Sequence, residues 1–245
     1  MEWADDAVVL GVRKHGETSV IAELMTKERG RHLGLVNGGR SRAMRPLLQP
    51  GNSVRAVWRA RLEDHLGTLR IEGDKLRAAT LMEQPHCIYA LQTLATHLRL
   101  LPERDAHPAL YETLNIVLDN LEAPDIAAEL VVRFELALLD ELGFGLDLTR
   151  CASTGARTDL IYVSPKSGIA VSKQAGAPYA DRMLTLPDFL LVKEKFTVEH
   201  APLEAILDGF KLTDFFFDRH VYGPRAIDRP PERESLIRAV RKALD

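Results

Sequence analysis

The feature that most constrains this chain is a change of hydrophobic period near Pro85. Before it, apolar residues come in short runs closed by turn residues. After it, they recur at intervals of three and four. The first pattern is that of strands and the second that of amphipathic helices. Five strand-like runs precede the change: DAVVLGVRK, SVIAELMT, RHLGLVNG, NSVRAVWRARL and HLGTLRIEG. HGE, KERG and a longer Gly-punctuated segment separate the first four. In the fourth run Val54, Ala56 and Trp58 face one side, while Arg55, Arg59 and Arg61 face the other. Trp58 therefore reads as core rather than as a stacking platform. Five short strands in about 75 residues are too few for a sandwich and suit a small closed barrel.

Past Pro85 the periodicity predicts helices. CIYALQTLATHLRLL sets Ile88, Leu91, Leu94, Ala95 and Leu98 on one face. PALYETLNIVLDNL does the same with Leu110, Leu114, Val117, Leu118 and Leu121. PDIAAELVVRFELALLDELGF is the clearest, with Pro124 and Asp125 in its first turn and Gly143 as its stop. APLEAILDGF, LTDFFFDRHVYG and PPERESLIRAVRKAL follow late in the chain. Between the helical groups, DLIYV and GIAVS joined by SPKSG predict a hairpin. The expected fold is α+β: a five-stranded barrel over residues 1–80 and a helical domain over 81–245, with a small β-hairpin insert over 150–185. Among small barrels, the OB-fold is the commonest form that binds nucleic acid.

Charge is unevenly spread over the 245 residues. Residues 1–80 hold 14 Lys and Arg against 10 Asp and Glu, whereas the remainder holds 18 against 25. Within the window Lys27–Arg61, Lys27, Arg29, Arg31, Arg40, Arg42, Arg45, Arg55, Arg59 and Arg61 stand against Glu28 alone. Nine cations so placed repel one another unless something offsets them, which marks a candidate surface for a polyanion. The segment GLVNGGRSRAMRPLLQPG adds Gly38 and Gly39, whose backbone amides can approach a phosphate, beside three forked guanidinium groups. Residues 1–80 contain Trp3 and Trp58 but no Phe or Tyr. Phosphate contact should therefore dominate over base stacking, giving weak, sequence-blind, salt-sensitive binding to single and double strands alike.

Signals of catalysis are missing. No Walker A pattern, dinucleotide fingerprint, HExxH or GxSxG occurs, and the eight His lack ligand spacing. Cys87 and Cys151 offer no disulfide framework, in keeping with a reducing compartment. No apolar run is long enough for a membrane span, and MEWADDAVVL lacks the features of a signal peptide. These observations predict a cytoplasmic protein that needs no cofactor, nucleoid-associated where the polyanion is DNA.

Three stretches carry a resemblance to a known family: the opening AVVLGVRKHGETSVIAELMTKERGRHLGLVNGGRSR, the insert beginning LDLTRCASTG, and the late FFFDRHVYGPR. Over essentially the whole chain this resembles the RecO family of bacterial DNA repair and recombination mediators. The resemblance implies a protein without catalytic activity that binds DNA and anneals complementary single strands. It also implies partnership with RecR in loading the RecA recombinase onto strands covered by single-strand-binding protein. Lys27, Arg29, Arg31, Arg40, Arg42 and Arg45 match the family's barrel and loop and carry DNA contact by that match. Arg55, Arg59 and Arg61 rest on the strand pattern alone.

The implied contact with the acidic, apolar C-terminal tail of single-strand-binding protein falls on the helical domain. Phe215, Phe216 and Phe217 are candidates for its groove, with Arg219 and Arg225 at the rim. The chain departs from the family at the insert, where many relatives bind zinc through four cysteines. Only Cys151 is present here, one ligand where a structural zinc needs four, so a degenerate, metal-free insert is expected. A barrel with basic loops also suits an RNA-binding or ribosome-associated module. A metal- or nucleotide-dependent nucleic-acid enzyme is the third reading.

Overall fold

The computed structural model describes residues 1–191 and 201–244. They divide into two compact units, Met1–Glu122 and Ala123–Asp245. The helical stretch expected over 81–245 is shared between the two, and its residues 192–200 and 245 lie outside the described residues.

In the first unit five strands form a closed barrel of OB type: β1 (Glu2–His15), β2 (Ser19–Thr26), β3 (Gly30–Val36), β4 (Ser53–Arg59) and β5 (Thr68–Gly73). Closure depends on β1 serving two neighbours. Its residues 2–8 pair with β4 and its residues 7–15 with β2, and the register shifts between Val9 and Gly11. A bulge bends the strand and increases its twist, which lets a short sheet curl on itself. On the far side β3 and β5 meet at a single parallel pair, Leu35 with Thr68.

Alternate residues fill the interior. Ala7, Val9, Ala22, Leu24, Val54, Ala56, Trp58, Leu69 and Ile71 are buried together. The alternation read from β4 holds: Arg55 and Arg59 are exposed, and Arg61 lies just beyond the strand end. Trp58 Nε1 donates to the Leu66 carbonyl at 2.9 Å, so its one polar atom is satisfied. Leu48 and Met44, from the loop between β3 and β4, pack against this core.

His32 breaks the apolar rule. It is 3% exposed. Its ring stands edge-on to Trp3 at 4.9 Å and to Trp58 at 5.1 Å, and those two rings stack at 5.6 Å. Neither ring nitrogen has a hydrogen-bond partner. Burial, helped by the Arg104 and Arg29 charges, lowers its pKa to about 4.

Three helices complete this unit: the single turn α1 (Ala78–Leu81), α2 (Pro85–Leu98) and α3 (Pro108–Asp119). Proline opens both longer helices, where its missing N–H costs nothing. Their predicted apolar faces are the buried ones, apart from Ile88 and Leu91, which are half-buried. Arg77 ties α3 to the barrel through Asp119 at 2.6 Å, Asn115 at 3.1 Å, Ser53 at 2.9 Å and the Gly51 carbonyl at 2.9 Å.

The second unit is built on α4 (Pro124–Glu141), α6 (Leu203–Phe217) and α8 (Pro231–Leu244). Between the first two come β6 (Leu160–Val163), β7 (Ala170–Ser172), the turn α5 (Lys173–Gly176) and β8 (Leu184–Thr185). The turn α7 (Gly223–Arg225) precedes α8. The predicted hairpin is present as β6 and β7, and β8 adds a third strand on the other side of β6. Two residues of strand leave no periodic trace, so the sequence pattern missed it. APLEAILDGF and the first half of LTDFFFDRHVYG likewise form one helix, α6, rather than two, and a π-helical turn, Asp218–Tyr222, carries the chain on. α6 runs unbroken through Gly209, where a Cβ would lie 2.9 Å from the Phe189 ring and 3.1 Å from Val132. Glycine serves close helix packing there, not a break.

A buried ion pair holds α8 in place. Arg233 donates to fully buried Glu135 of α4 at 2.7 and 3.0 Å, to Thr213 at 2.9 Å and to the Phe210 carbonyl at 2.8 Å. Its guanidinium also lies over the Phe210 ring, 5.2 Å from the centroid.

Two predictions follow from these buried groups. Arg233→Met should destabilise the chain by about 3–5 kcal/mol in urea unfolding, because it strands the Glu135 charge. Adding Glu135→Leu should recover part of that loss, and a double variant at least as unstable as the single one would contradict the assignment. His32 binds its proton more weakly in the folded state than in the unfolded chain, so stability rises with pH between about 4 and 6.5. The full difference is about 3 kcal/mol, lost as pH falls through that window. His32→Phe should flatten the acid limb there, and an unchanged profile would show that other groups set it.

Candidate nucleic-acid interface

The loop of residues 37–52 is tightly built. Gly38 turns the chain at φ +66°. Gly39 packs so closely that a Cβ would meet Val20 at 2.6 Å. The amides of Gly39, Arg40 and Ser41 donate to the carbonyls of Val36, Thr18 and Gly38 at 2.9–3.2 Å. This narrows the expectation of a phosphate cradle: the Gly39 amide is already used, and Gly39 serves packing while Gly38 sets the turn. At the far end Asn52 donates to the Pro46 and Leu47 carbonyls and accepts from the Ala78 amide.

Arg40, Arg42 and Arg45 differ in their use. Arg40 is half-buried and donates to the Glu17 carbonyl at 2.5 Å and the Gly16 carbonyl at 3.4 Å. It thereby fastens the loop to the β1–β2 hairpin, which sets Lys14 and His15 nearby. Its charge stays uncompensated, because carbonyls carry none. Arg42 and Arg45 are exposed and have no acidic partner among the described residues. Two cations on a braced backbone, exposed to solvent, have the forked donors that can meet a phosphate.

The rest of the basic window is less free than its sequence suggests. Lys27 pairs with Glu112 of α3 at 2.8 Å. Arg31 pairs with Glu23 at 3.1 Å and Glu103 at 3.4 Å. Arg55 pairs with Asp6 at 2.7 Å, and Arg59 with Glu2 at 2.6 Å. Each acid comes from elsewhere in the fold, outside the basic window, so a count along that window could not see it. Arg29 and Arg61 remain exposed without an acidic partner among the described residues. The window is also divided in space. Lys27, Arg29 and Arg31 sit at the β2–β3 turn, whereas the loop arginines sit where β2 begins and β3 ends. The length of β2 separates these ends by roughly 23 Å at 3.3 Å per residue.

Sequence reading passed over Arg13, Lys14 and Arg70. All are exposed, and none has an acidic partner among the described residues. The first two flank HGE, and recognising the hairpin would have placed them beside the loop. Arg70 alternates with the buried Leu69 and Ile71, a signal that was available.

In the second unit, Phe216 and Phe217 are buried at 2% and 0% exposure, and Phe215 is half-buried against the edge of Phe216. Arg219 is exposed and donates to the Pro165 carbonyl at 3.1 Å, and Arg225 is exposed. Cys151 is buried and accepts from the Ser172 amide at 3.3 Å. Burial acts to raise its pKa, but hydrogen bonds from Thr154 and Ser172 outweigh that and lower it to about 6. Among the described residues no cluster of three or more His, Cys, Asp or Glu is placed to hold a metal ion. None of their helices is long and apolar enough to cross a membrane.

Comparison with known proteins agrees with this architecture. The family described as "Recombination protein O N terminal" matches residues 1–73, and "Recombination protein O C terminal" matches residues 86–226. A "DNA repair protein RecO" from Sinorhizobium medicae is 57% identical, covering 100% of this chain and 96% of its own length. The protein of the same description from Mesorhizobium japonicum is 58% identical over 99% of this chain and 94% of its own. One from Rhizobium etli is 58% identical over 100% and 94%. With both halves matched and full-length identity well above half, the chain belongs to the RecO family of DNA repair proteins.

Proposed function

We propose that this chain is a non-catalytic recombination mediator that grips DNA through phosphates at the end of the barrel formed by the 37–52 loop and the β1–β2 hairpin. The observation that carries this reading is the pair Arg42 and Arg45: exposed, without acidic partners among the described residues, and projecting from a loop whose amides are internally bonded. Arg40 braces that loop, and Lys14 extends the cationic surface. Lys27, Arg31, Arg55 and Arg59 must break ion pairs before they reach a phosphate, so their share is smaller. Arg29 and Arg61 remain available at other points of the barrel.

Such a grip needs no catalytic group to promote annealing. Neutralising phosphates on two strands lowers their mutual repulsion, and contact that is mainly to phosphates leaves most base edges free to pair. In this reading the chain works in the cytoplasm at the nucleoid, with RecR, to help load RecA onto strands coated by single-strand-binding protein. We place the docking site for that protein's acidic tail on the second unit. Phe215 is the surface aromatic there, with Arg219 one helical turn on and Arg225 as a further cation.

The two functions should separate in one crossed experiment. Arg42→Ala with Arg45→Ala should weaken binding to single strands of any sequence about tenfold, while leaving binding of a labelled tail peptide intact. Phe215→Ala with Arg219→Ala should do the reverse. Unaltered DNA affinity in the first variant would sink the phosphate reading. Unaltered peptide affinity in the second would sink the docking site.

A further inference from the structure

The barrel's thin seam opens a second feature beside the loop. Because β3 and β5 share one residue pair, a cleft of about 340 Å³ lies along β5. Asn37, Met44, Val57, Arg59, Arg70 and the Glu2 carboxylate line it, with the buried Leu69 behind them. The size suits a nucleoside-scale ligand, since small-molecule sites run roughly 300–1,000 Å³. Its walls are mixed in a particular way: Met44, Val57 and Leu69 are apolar, Asn37 offers an amide with both donors and an acceptor, and two guanidinium groups lie among them. Arg70 has no acidic partner among the described residues, whereas Arg59 is held by Glu2 at the same cleft, so Arg70 is the cation open to a phosphate.

We propose that this cleft accepts one unpaired nucleobase of a DNA strand. This deepens the DNA-binding reading above and rests on it. An unpaired base has apolar faces and a polar edge, which match the thioether and aliphatic walls and the Asn37 amide. Its flanking phosphate falls to Arg70. Met44 belongs to the same loop as Arg42 and Arg45, so a backbone crossing those arginines delivers its next base to the cleft. A base held in a duplex cannot enter without unpairing, so the cleft favours single strands where the arginines alone do not.

The test compares single-stranded oligothymidine with the same oligomer carrying abasic sites, and with duplex DNA, on the full chain and on Val57→Trp. The indole is chosen to fill the cleft without removing a cation. The full chain should bind the thymidine strand ~5-fold or more tightly than the abasic one, as expected from burying roughly 40 Å² of apolar base surface. Val57→Trp should abolish that difference and leave duplex affinity unchanged. Equal binding of thymidine and abasic strands by the unaltered chain overturns the proposal without reference to any variant. So does an equal loss of single-strand and duplex affinity in Val57→Trp, and so does a cleft that takes an extended peptide and leaves every DNA comparison flat. If the unaltered chain shows no salt-sensitive binding to any DNA, the phosphate reading fails and this one fails with it.

Discussion

The Glu23 carboxylate ties the barrel wall to the helix beside it. It accepts Arg31 of β3 at 3.1 Å and Arg99, just past α2, at 2.8 Å, and its side chain is only 14% exposed. One acid on β2 thus joins the barrel wall to the helix laid against it. Arg31 carries the chain of contacts on to Glu103, whose neighbour Arg104 takes φ +66° and donates to the carbonyls of residues 63–65. The same segment lies so close to the β2–β3 turn that a Cβ on Gly30 would overlap the Asp105 carbonyl. Breaking one member of a half-hidden network leaves others charged and unpaired, so its cost falls on the fold rather than on a ligand.

That network divides the barrel's cations into two populations. Those at the β2–β3 turn and on the outer faces of β3 and β4 are largely neutralised by acids brought from elsewhere in the fold. Those on the 37–52 loop are not. The division gives a basic barrel two separate properties: it closes without accumulating unbalanced repulsion, and it leaves a compact cationic end where the backbone is already fixed. A braced loop pays little ordering entropy on binding, so its arginines act as a formed surface.

Much of this was legible in the residues. The alternation of Val54, Ala56 and Trp58 placed the core of β4, and Pro124 and Gly143 bounded α4. The opening motif and the GGRSR loop carried the family. What the sequence hid was pairing across space. Glu2, Asp6, Glu23, Glu103 and Glu112 all lie outside the basic window, yet each meets one of its cations. Local composition cannot report a partner contributed by another strand. The glycines of the loop misled for a related reason, since a residue that permits an open amide also permits close packing, and only the fold decides which. Phe216 and Phe217 entered the core because a helix with three consecutive aromatics must turn most of them inward once two neighbouring helices cover it.

On the proposed reading, paired cations hold the fold and loop cations hold DNA. The slope of log affinity against log salt for a single-stranded oligonucleotide, taken with urea unfolding, separates the two roles in Arg42→Met and Arg31→Met. Arg42→Met should shallow the slope by about 0.7 and leave the unfolding midpoint in place, while Arg31→Met should lower the midpoint and leave the slope alone. A shallower slope in Arg31→Met with no loss of stability, or an unchanged slope in Arg42→Met, would contradict it.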